Sequence, residues 1–239
     1  RDFGRQVREM EVGLLPPKVA RIMLNLARVS KSAKILDPFC GFGTVATEAM
    51  IMGYGDAVAS DLEEAMVEGT KKNIEWVKRF FPETSEAEAR VFKSPAEKVS
   101  EHFKKREVDA IVTEPYLGPV QRSLQNEEDA RRRAEKLGEI YFAALRDWEK
   151  VLKPGGRVVM IFPAFSFFAK ASKDKQTRSG FISIPVAEEL KGLPYDIVPP
   201  LPAEATRLPY IRMSPQGGII YERPGQKVIR EIYILRLGA

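Results

Sequence analysis

From Ala33 onward, short apolar runs of strand length alternate with helical stretches, and this alternation limits the fold more than any other feature. The strand-like runs cover residues 33–39, 57–62, 108–113 and 157–163, with a weaker one, broken by Glu88 and Arg90, at 88–92. Helical stretches at 44–53, 63–81, 95–105 and 127–152 separate them. A strand followed by a crossover helix returns parallel to its predecessor, so the alternation predicts a parallel sheet. Strands apolar throughout fit a sheet covered on both faces. In the helix at 63–81, Met66, Thr70, Asn73, Val77 and Phe80 recur at helical spacing and predict a buried face. In the longest helix, Ala130, Ala134, Leu137, Tyr141, Leu145, Trp148 and Leu152 trace one stripe. Pro154-Gly155-Gly156 reads as its stop.

The two ends depart from the alternation. Residues 1–30 form an N-terminal segment with a helix expected at 17–27, where Pro17 can occupy the first turn without losing a hydrogen bond. Beyond Pro163 the alternation stops, and runs at 217–223 and 227–237 flank Pro224-Gly225, a hairpin signal. The expected fold is therefore α/β: a mostly parallel, seven-stranded sheet with a C-terminal antiparallel hairpin. The expected division is residues 1–30 as an N-terminal helical segment and residues 31–239 as the main domain, with the helix of the first packing on the second.

Composition removes several function classes. The chain has 239 residues, 44% of them hydrophobic, enough for a sizeable core. Its longest apolar run, 157–168, falls well short of the ~20 residues that span a bilayer. The sequence opens at Arg1 without a charged-then-apolar leader, and a cytoplasmic setting is expected. A single cysteine, Cys40, and a single histidine, His102, argue against disulfide frameworks, cysteine zinc clusters and Ser-His-Asp chemistry, and no metal is expected. His102 reads as an exposed, inert residue and Cys40 as a small packing residue. A net charge of +5 permits a nucleic-acid partner without requiring one.

Two turns carry the chemistry. Asp37-Pro38-Phe39-Cys40-Gly41-Phe42-Gly43-Thr44 joins the first strand to the next helix, and its glycines let backbone approach a ligand. Asp61, 20 residues beyond Gly41, ends the second strand, where a carboxylate can accept from ribose hydroxyls. An Asp before the glycines puts negative charge where a pyrophosphate would sit. That disfavours a dinucleotide oxidoreductase and suits a cationic amino group such as that of S-adenosylmethionine. The second turn, Thr113-Glu114-Pro115-Tyr116, leaves the fourth strand at the carboxyl edge, where open α/β sheets bind substrates. A nucleobase amine needs acceptors for its N–H groups and a flat surface for its ring, and Glu114, a carbonyl near Pro115, and Tyr116 can supply them.

With these residues in view, the chain resembles S-adenosylmethionine-dependent amino-methyltransferases. Asp37-Pro-Phe-Cys-Gly-Phe-Gly-Thr44 is similar to their DPFxGxGT motif, and Thr113-Glu-Pro-Tyr116 to their (D/N)PPY motif. The resemblance extends to catalytic domains of archaeal-type tRNA guanine-N2 methyltransferases, through Leu14-Leu-Pro-Pro-Lys-Val-Ala20 and the segment from Tyr221 to Glu231. It implies a Rossmann-like methyltransferase fold, S-adenosylmethionine as cofactor and tRNA or another RNA as substrate. Members of that group carry a separate THUMP domain for RNA docking. No THUMP-like region is visible here, so an RNA-docking domain or a partner subunit is the expected complement. The catalytic motif departs from the pattern. Either Glu114 stands for the family's Asp, or Thr113 does and Glu114 replaces the first proline; Glu114 is preferred because a hydroxyl accepts more weakly.

The resemblance assigns the cofactor to Asp37, Pro38, Cys40, Gly41, Gly43 and Thr44, to Asp61 and Leu62, to Ser94 and Ala96 beside the adenine, and to Pro16 and Pro17 at the methionine end. Glu114, Pro115 and Tyr116 would engage the target base. Unpaired bases stack on aromatics near positive charge, and Phe165, Phe167 and Phe168, interleaved with Lys170, Lys173, Lys175 and Arg178, are the expected nucleic-acid contacts. Arg131-Arg132-Arg133 is a second basic cluster, read as either a contact or a solvated face. The alternatives are a DNA adenine or cytosine amino-methyltransferase, which shares both motifs, and a cofactor-binding scaffold with weakened activity.

Overall fold

The computed structural model describes residues 15–119, 125–168, 180–223 and 225–238. Among these, ten strands form one sheet: β1 (Lys34–Asp37), β2 (Asp56–Asp61), β3 (Glu88–Lys93), β4 (Val108–Thr113), β5 (Gln125–Asn126), β6 (Leu152–Phe168), β7 (Gly180–Ser183), β8 (Tyr195–Val198), β9 (Ile219–Tyr221) and β10 (Val228–Leu237). The main path runs β3-β2-β1-β4-β6-β10-β8, seven strands as expected, with β5 and β7 added on β6 and β9 on β10. The first five strands of the path pair in parallel. β10 runs antiparallel to β6, β8 and β9. β9 and β10 form the C-terminal hairpin.

The main helices are α1 (Pro17–Ala27), α2 (Thr44–Ile51), α3 (Glu64–Phe80) and α4 (Glu127–Trp148). Successive strand residues point to opposite faces, so a strand covered on both sides is apolar throughout. Ile35, Val112, Val159 and Ile161 lie in one cluster with Val19, Met23 and Leu24 of α1. Leu36, Ile111, Val158 and Met160 lie in the other with Tyr141, Leu145 and Trp148 of α4. Met23 and Leu24 are fully buried, each contributing ~1.5–3 kcal/mol of transfer free energy.

Three local expectations differ from the structure. Residues 96–102 form 3-10 turns rather than an α-helix. The carbonyl of Ala96, which an α-helix would offer to the Ser100 N–H, instead accepts from the Trp148 indole at 2.9 Å. Ser100 N–H donates to Asp147 at 2.8 Å. Two side chains of α4 thus replace the helical bond. Second, α4 ends at Trp148, and Pro154-Gly155-Gly156 lies inside β6. There Val108 pairs with Leu152 while Ala110 pairs with Arg157, so the Pro-Gly-Gly stretch forms a bulge at the entry to β6. Third, the buried face of α3 contains Thr70, Asn73 and Val77 but takes Val67 and Ile74 rather than Met66 and Phe80. The Phe80 ring is exposed and lies against Trp76.

Candidate active site

The chain leaves β1 for β2 on one side, and β4 is added to β1 on the other, so the sheet changes direction between β1 and β4. Crevices at such points open at the carboxyl ends of the strands. Here that place is marked by Asp37, the last residue of β1, and Thr113, the last of β4. Thr113 Oγ1 donates to Asp37 Oδ1 at 2.6 Å, across the crevice floor. The Phe39 N–H donates to the same oxygen at 3.3 Å. Asp37 is 3% exposed. Burial pushes its carboxyl up to about 7, against the pull of these two hydrogen bonds.

The glycine turn is held from below by α3. Thr70 Oγ1 donates to the Gly41 carbonyl at 2.7 Å, and Asn73 donates to the Phe42 carbonyl at 2.9 Å. The two glycines serve different purposes. Both have positive φ, +50° at Gly41 and +76° at Gly43. A Cβ on Gly43 would meet Thr70 Cγ2 at 2.7 Å, so this glycine is required by helix packing. A Cβ on Gly41 would meet nothing within 4 Å, so this glycine faces open space. Cys40 is buried among Ala46 and Ala59, and burial pushes its thiol up, so it packs rather than reacts. Pro38 and Thr44 are also buried, and Thr44 opens α2.

Asp61 braces the same turn from β2. It accepts the Gly41 N–H at 2.9 Å and the Glu63 N–H at 3.0 Å, and burial raises its carboxyl above the usual range. Leu62 beside it is 57% exposed. Ser94 and Ala96, beyond β3, are buried. Ser94 Oγ donates to the Pro95 carbonyl, and the Ala96 carbonyl is occupied by Trp148, so Leu62 is the exposed apolar side chain of this group. Pro16 caps α1, its carbonyl accepting from Val19 and Ala20, and Pro17 is the first helical residue. The other end of α1 meets the foot of β6, where Arg157 donates to the Ala27 carbonyl. The prolines therefore lie toward the carboxyl edge. Asp37, the glycine turn, Asp61 and the turn after β4 thus converge there.

That last turn is pinned residue by residue. Thr113 is tied to Asp37, as above. Glu114, its side chain 9% exposed, pairs with Arg230 of β10, Nε to Oε1 at 2.5 Å and Nη2 to Oε2 at 3.4 Å. The Tyr116 carbonyl accepts from the Tyr141 hydroxyl of α4 at 2.6 Å. Pro115 is buried, and the Tyr116 ring is 57% exposed at the rim. The sequence reading missed Arg230, Tyr141, Thr70 and Asn73 as parts of the site. A signal for Arg230 existed: Arg230-Glu231 interrupts the run Val228–Leu235, apolar but for these two residues.

One expected nucleic-acid contact needs correction. Phe165 is fully buried, because β6 continues as a strand to Phe168 and the Phe165 side chain falls on its core face. Phe167 and Phe168 are half-buried. Lys170, Lys173, Lys175 and Arg178 lie outside the described residues. In the Arg triplet, Arg131 pairs with Glu127 and Arg132 with Asp129 on the exposed face of α4. Arg133 donates to the Pro119 carbonyl and covers the Phe165 ring. His102 is exposed and stacks on Phe92. Among the described residues there is no acidic, His or Cys group able to hold a metal ion, and no helix long and apolar enough to cross a membrane.

Comparison with known proteins gives the family and the fold. The family model described as UPF0020, RMKL-like, methyltransferase domain, matches residues 5–182. The chain is 33% identical over 153 residues to the tRNA (guanine(10)-N2)-dimethyltransferase of Methanothermobacter thermautotrophicus, a match covering 64% of this chain and 40% of that protein. It is 30% identical over 156 residues to the tRNA (guanine(6)-N2)-methyltransferase of Thermus thermophilus, covering 62% of this chain and 39% of the relative. The chain thus spans well under half of these relatives. Among solved structures, TrmN from Thermus thermophilus superposes with a TM-score of 0.57 at 21% identity, covering 93% of this chain and 49% of that one. A SAM-dependent methyltransferase from Methanosarcina mazei superposes with a TM-score of 0.53 at 15% identity, covering 94% and 98%. At these identities the likeness establishes a shared Rossmann-like methyltransferase fold.

Proposed function

The chain belongs to the family described as UPF0020, RMKL-like, methyltransferase domain, and on that premise we propose that it moves a methyl group from S-adenosylmethionine to an exocyclic nucleobase amine, guanine N2 in tRNA. The observation that carries the reading is that Asp37, the Gly41 turn, Asp61 and the Thr113–Tyr116 turn all stand at the carboxyl ends of neighbouring strands, tied by the Thr113–Asp37 and Gly41–Asp61 hydrogen bonds. The tRNA substrate and the guanine target draw on the names of the relatives. A cytoplasmic setting fits the single, buried, free cysteine.

The donor set suits this cofactor. Two carboxylates, Asp37 and Asp61, stand beside the glycine turn, which favours an ammonium and ribose hydroxyls over phosphates. The open space at Gly41 leaves room for the ligand there. When bound, S-adenosylmethionine supplies a methyl carbon on a sulfonium, so that forming the N–C bond breaks the C–S bond and its electron pair leaves on a neutral thioether. Asp37, ionised by a facing cation, would hold the amino group, and Asp61 the ribose. Leu62 would cover one face of the adenine, with Ser94 and Ala96 forming the buried wall behind it. Pro16, Pro17 and α1 would close the methionine end.

At the base, Glu114 would accept an N–H of the target amine and turn its lone pair outward. The proton released on methylation would pass to this carboxylate and then to water. Tyr116, exposed at the rim with its backbone fixed by Tyr141, would stack on the unpaired base. Holding nitrogen and methyl carbon in line can supply ~7–11 kcal/mol of the barrier. A further RNA-docking domain or subunit would bring the tRNA to this edge. The deciding experiment gives the protein labelled S-adenosylmethionine with separate pools of tRNA, rRNA and DNA, then digests each and identifies the labelled nucleoside. N2-methylguanosine from tRNA is the expected product. Label in DNA alone refutes the tRNA reading, and cofactor binding without label in any pool favours a scaffold or a missing subunit.

A further inference from the structure

A charged pair in the middle of an apolar strand requires compensation, because an unpaired buried charge is strongly unfavourable. In β10 the sequence runs Val228-Ile229-Arg230-Glu231-Ile232. Glu231 is satisfied on one face of the sheet by Ser183 and Tyr233. Arg230 points to the other face, its side chain 7% exposed. β10 is separated from β4 by β6 alone, a span of about 10 Å between strand axes. A long arginine and a glutamate can meet across that distance. They do so just beyond the end of β4, where Arg230 closes on Glu114.

We propose that Arg230 is a positioning residue for methyl transfer: it fixes the Glu114 carboxylate in one orientation and keeps it ionised, so that it presents an acceptor to the target amine. The inference rests on Glu114 as that acceptor. Four features of the site support it. First, Glu114 is too buried to be held in its charged form by water. Second, burial drives its carboxyl up while the Arg230 cation beside it pulls the other way. Third, among the described residues the other titratable groups shown to interact with it, Asp37 of β1 and Tyr141 of α4, bring no positive charge. Fourth, a carboxylate offers about four lone-pair sites, and the two Arg230 contacts take one on each oxygen, Nε on Oε1 and Nη2 on Oε2. A simple structural ion pair would require no particular protonation state during turnover, whereas an acceptor does.

The test uses Arg230→Met, Arg230→Lys, Glu114→Gln and the double variant Glu114→Gln/Arg230→Met in the full chain. Thermal unfolding, S-adenosylmethionine affinity and pH–rate profiles on tRNA are measured for each. Arg230→Met is expected to lower kcat by ~100-fold, the scale of an ångström of misplacement, with cofactor affinity unchanged. Without the cation the Glu114 carboxyl rises further, so the acid limb of the profile moves to higher pH. Arg230→Lys, which keeps the charge without the fork, is expected to recover part of kcat and leave the limb near its original position. The double variant, which removes both charges, is expected to recover stability without recovering activity. If Arg230→Met does not fold, the decision rests on Arg230→Lys: a folded protein with unchanged kcat overturns the proposal. So does a folded Arg230→Met with an unmoved acid limb. An unimpaired Glu114→Gln overturns instead the reading of Glu114 as acceptor. An impaired Glu114→Gln beside unimpaired Arg230 variants overturns the positioning role alone.

Discussion

Substituting Gly43 by alanine tests whether the glycine turn is built by packing as well as by backbone freedom. Gly43 sits at φ +76° as the residue that caps α2. A left-handed conformation costs a residue with a Cβ roughly 1–2 kcal/mol. The new methyl would also meet Thr70 Cγ2 at 2.7 Å and Oγ1 at 3.0 Å. Thr70 is fully buried, has a stiff β-branched side chain and is hydrogen-bonded to the Gly41 carbonyl. It therefore yields little, and overpacking of this kind adds roughly 1–3 kcal/mol. Gly43→Ala should lose about 2–5 kcal/mol in urea unfolding, a large share of the ~5–15 kcal/mol that holds a domain together. Gly41→Ala, with similar backbone strain and an open neighbourhood, should lose only the first part, roughly 1–2 kcal/mol. Thr70→Ser removes the offending methyl and keeps the hydroxyl. In a double-mutant cycle the Gly43→Ala/Thr70→Ser pair should be less destabilised than the sum of the singles. Equal losses at Gly41 and Gly43, or strict additivity with Thr70→Ser, would refute the packing argument.

Other outcomes follow from the same geometry. Asp37 rises from its ordinary 3.8 to about 7 on folding, so its contribution to stability is complete below about pH 4 and is lost as pH climbs through about 7, a change of roughly 4 kcal/mol. Asp37→Asn should flatten the stability profile between those limits, and an unchanged slope sinks the assignment. A cation that ionises Asp37 should release a proton on binding below pH 7. Calorimetry of S-adenosylmethionine in buffers of different ionisation enthalpy would detect it, and equal apparent enthalpies would count against Asp37. Asp61→Ala should weaken cofactor binding and also cost roughly 1.5–3 kcal/mol, because the Gly41 and Glu63 N–H groups lose a charged acceptor. Unchanged affinity would leave Asp61 with the brace alone. Trp148→Phe should destabilise by roughly 1–3 kcal/mol, leaving the buried Ala96 carbonyl unpaired, and native stability in that variant would argue against the bond.

The fold was legible where local pattern and tertiary demand agree. β1, β2 and β4 read as apolar runs because the sheet is covered on both faces, and α1 keeps its periodicity because it meets the sheet on one face. The pattern failed where a distant side chain supplied the missing bond. Residues 96–102 have helical composition, yet Asp147 and Trp148, about fifty residues on, take the donor and acceptor an α-helix would use. The end of α4 failed for a related reason. Pro154-Gly155-Gly156 reads as a helix stop, and a β-bulge in a parallel strand has the same composition.

The site divides along the same line. Asp37, Gly41 and Asp61 are readable because they belong to turns whose chemistry is local in sequence. Glu114 was found as a charge at a strand end, but its state could not be read, since that depends on Arg230, 116 residues away. Sequence alone offered two ways to align the catalytic turn: Thr113 or Glu114 as the acceptor. The structure adds a physical distinction. Thr113 spends its hydroxyl proton on Asp37 and is buried at the crevice floor. Glu114 sits one residue further out, paired with a cation that partly counters its burial. An acceptor that must stay charged in a dry site needs such a partner, and a hydroxyl does not. On the proposed reading β10 acts on the candidate site through the Arg230–Glu114 pair. A charge placed in an apolar strand is the trace this leaves in sequence, and its partner becomes evident only when the strand order is known.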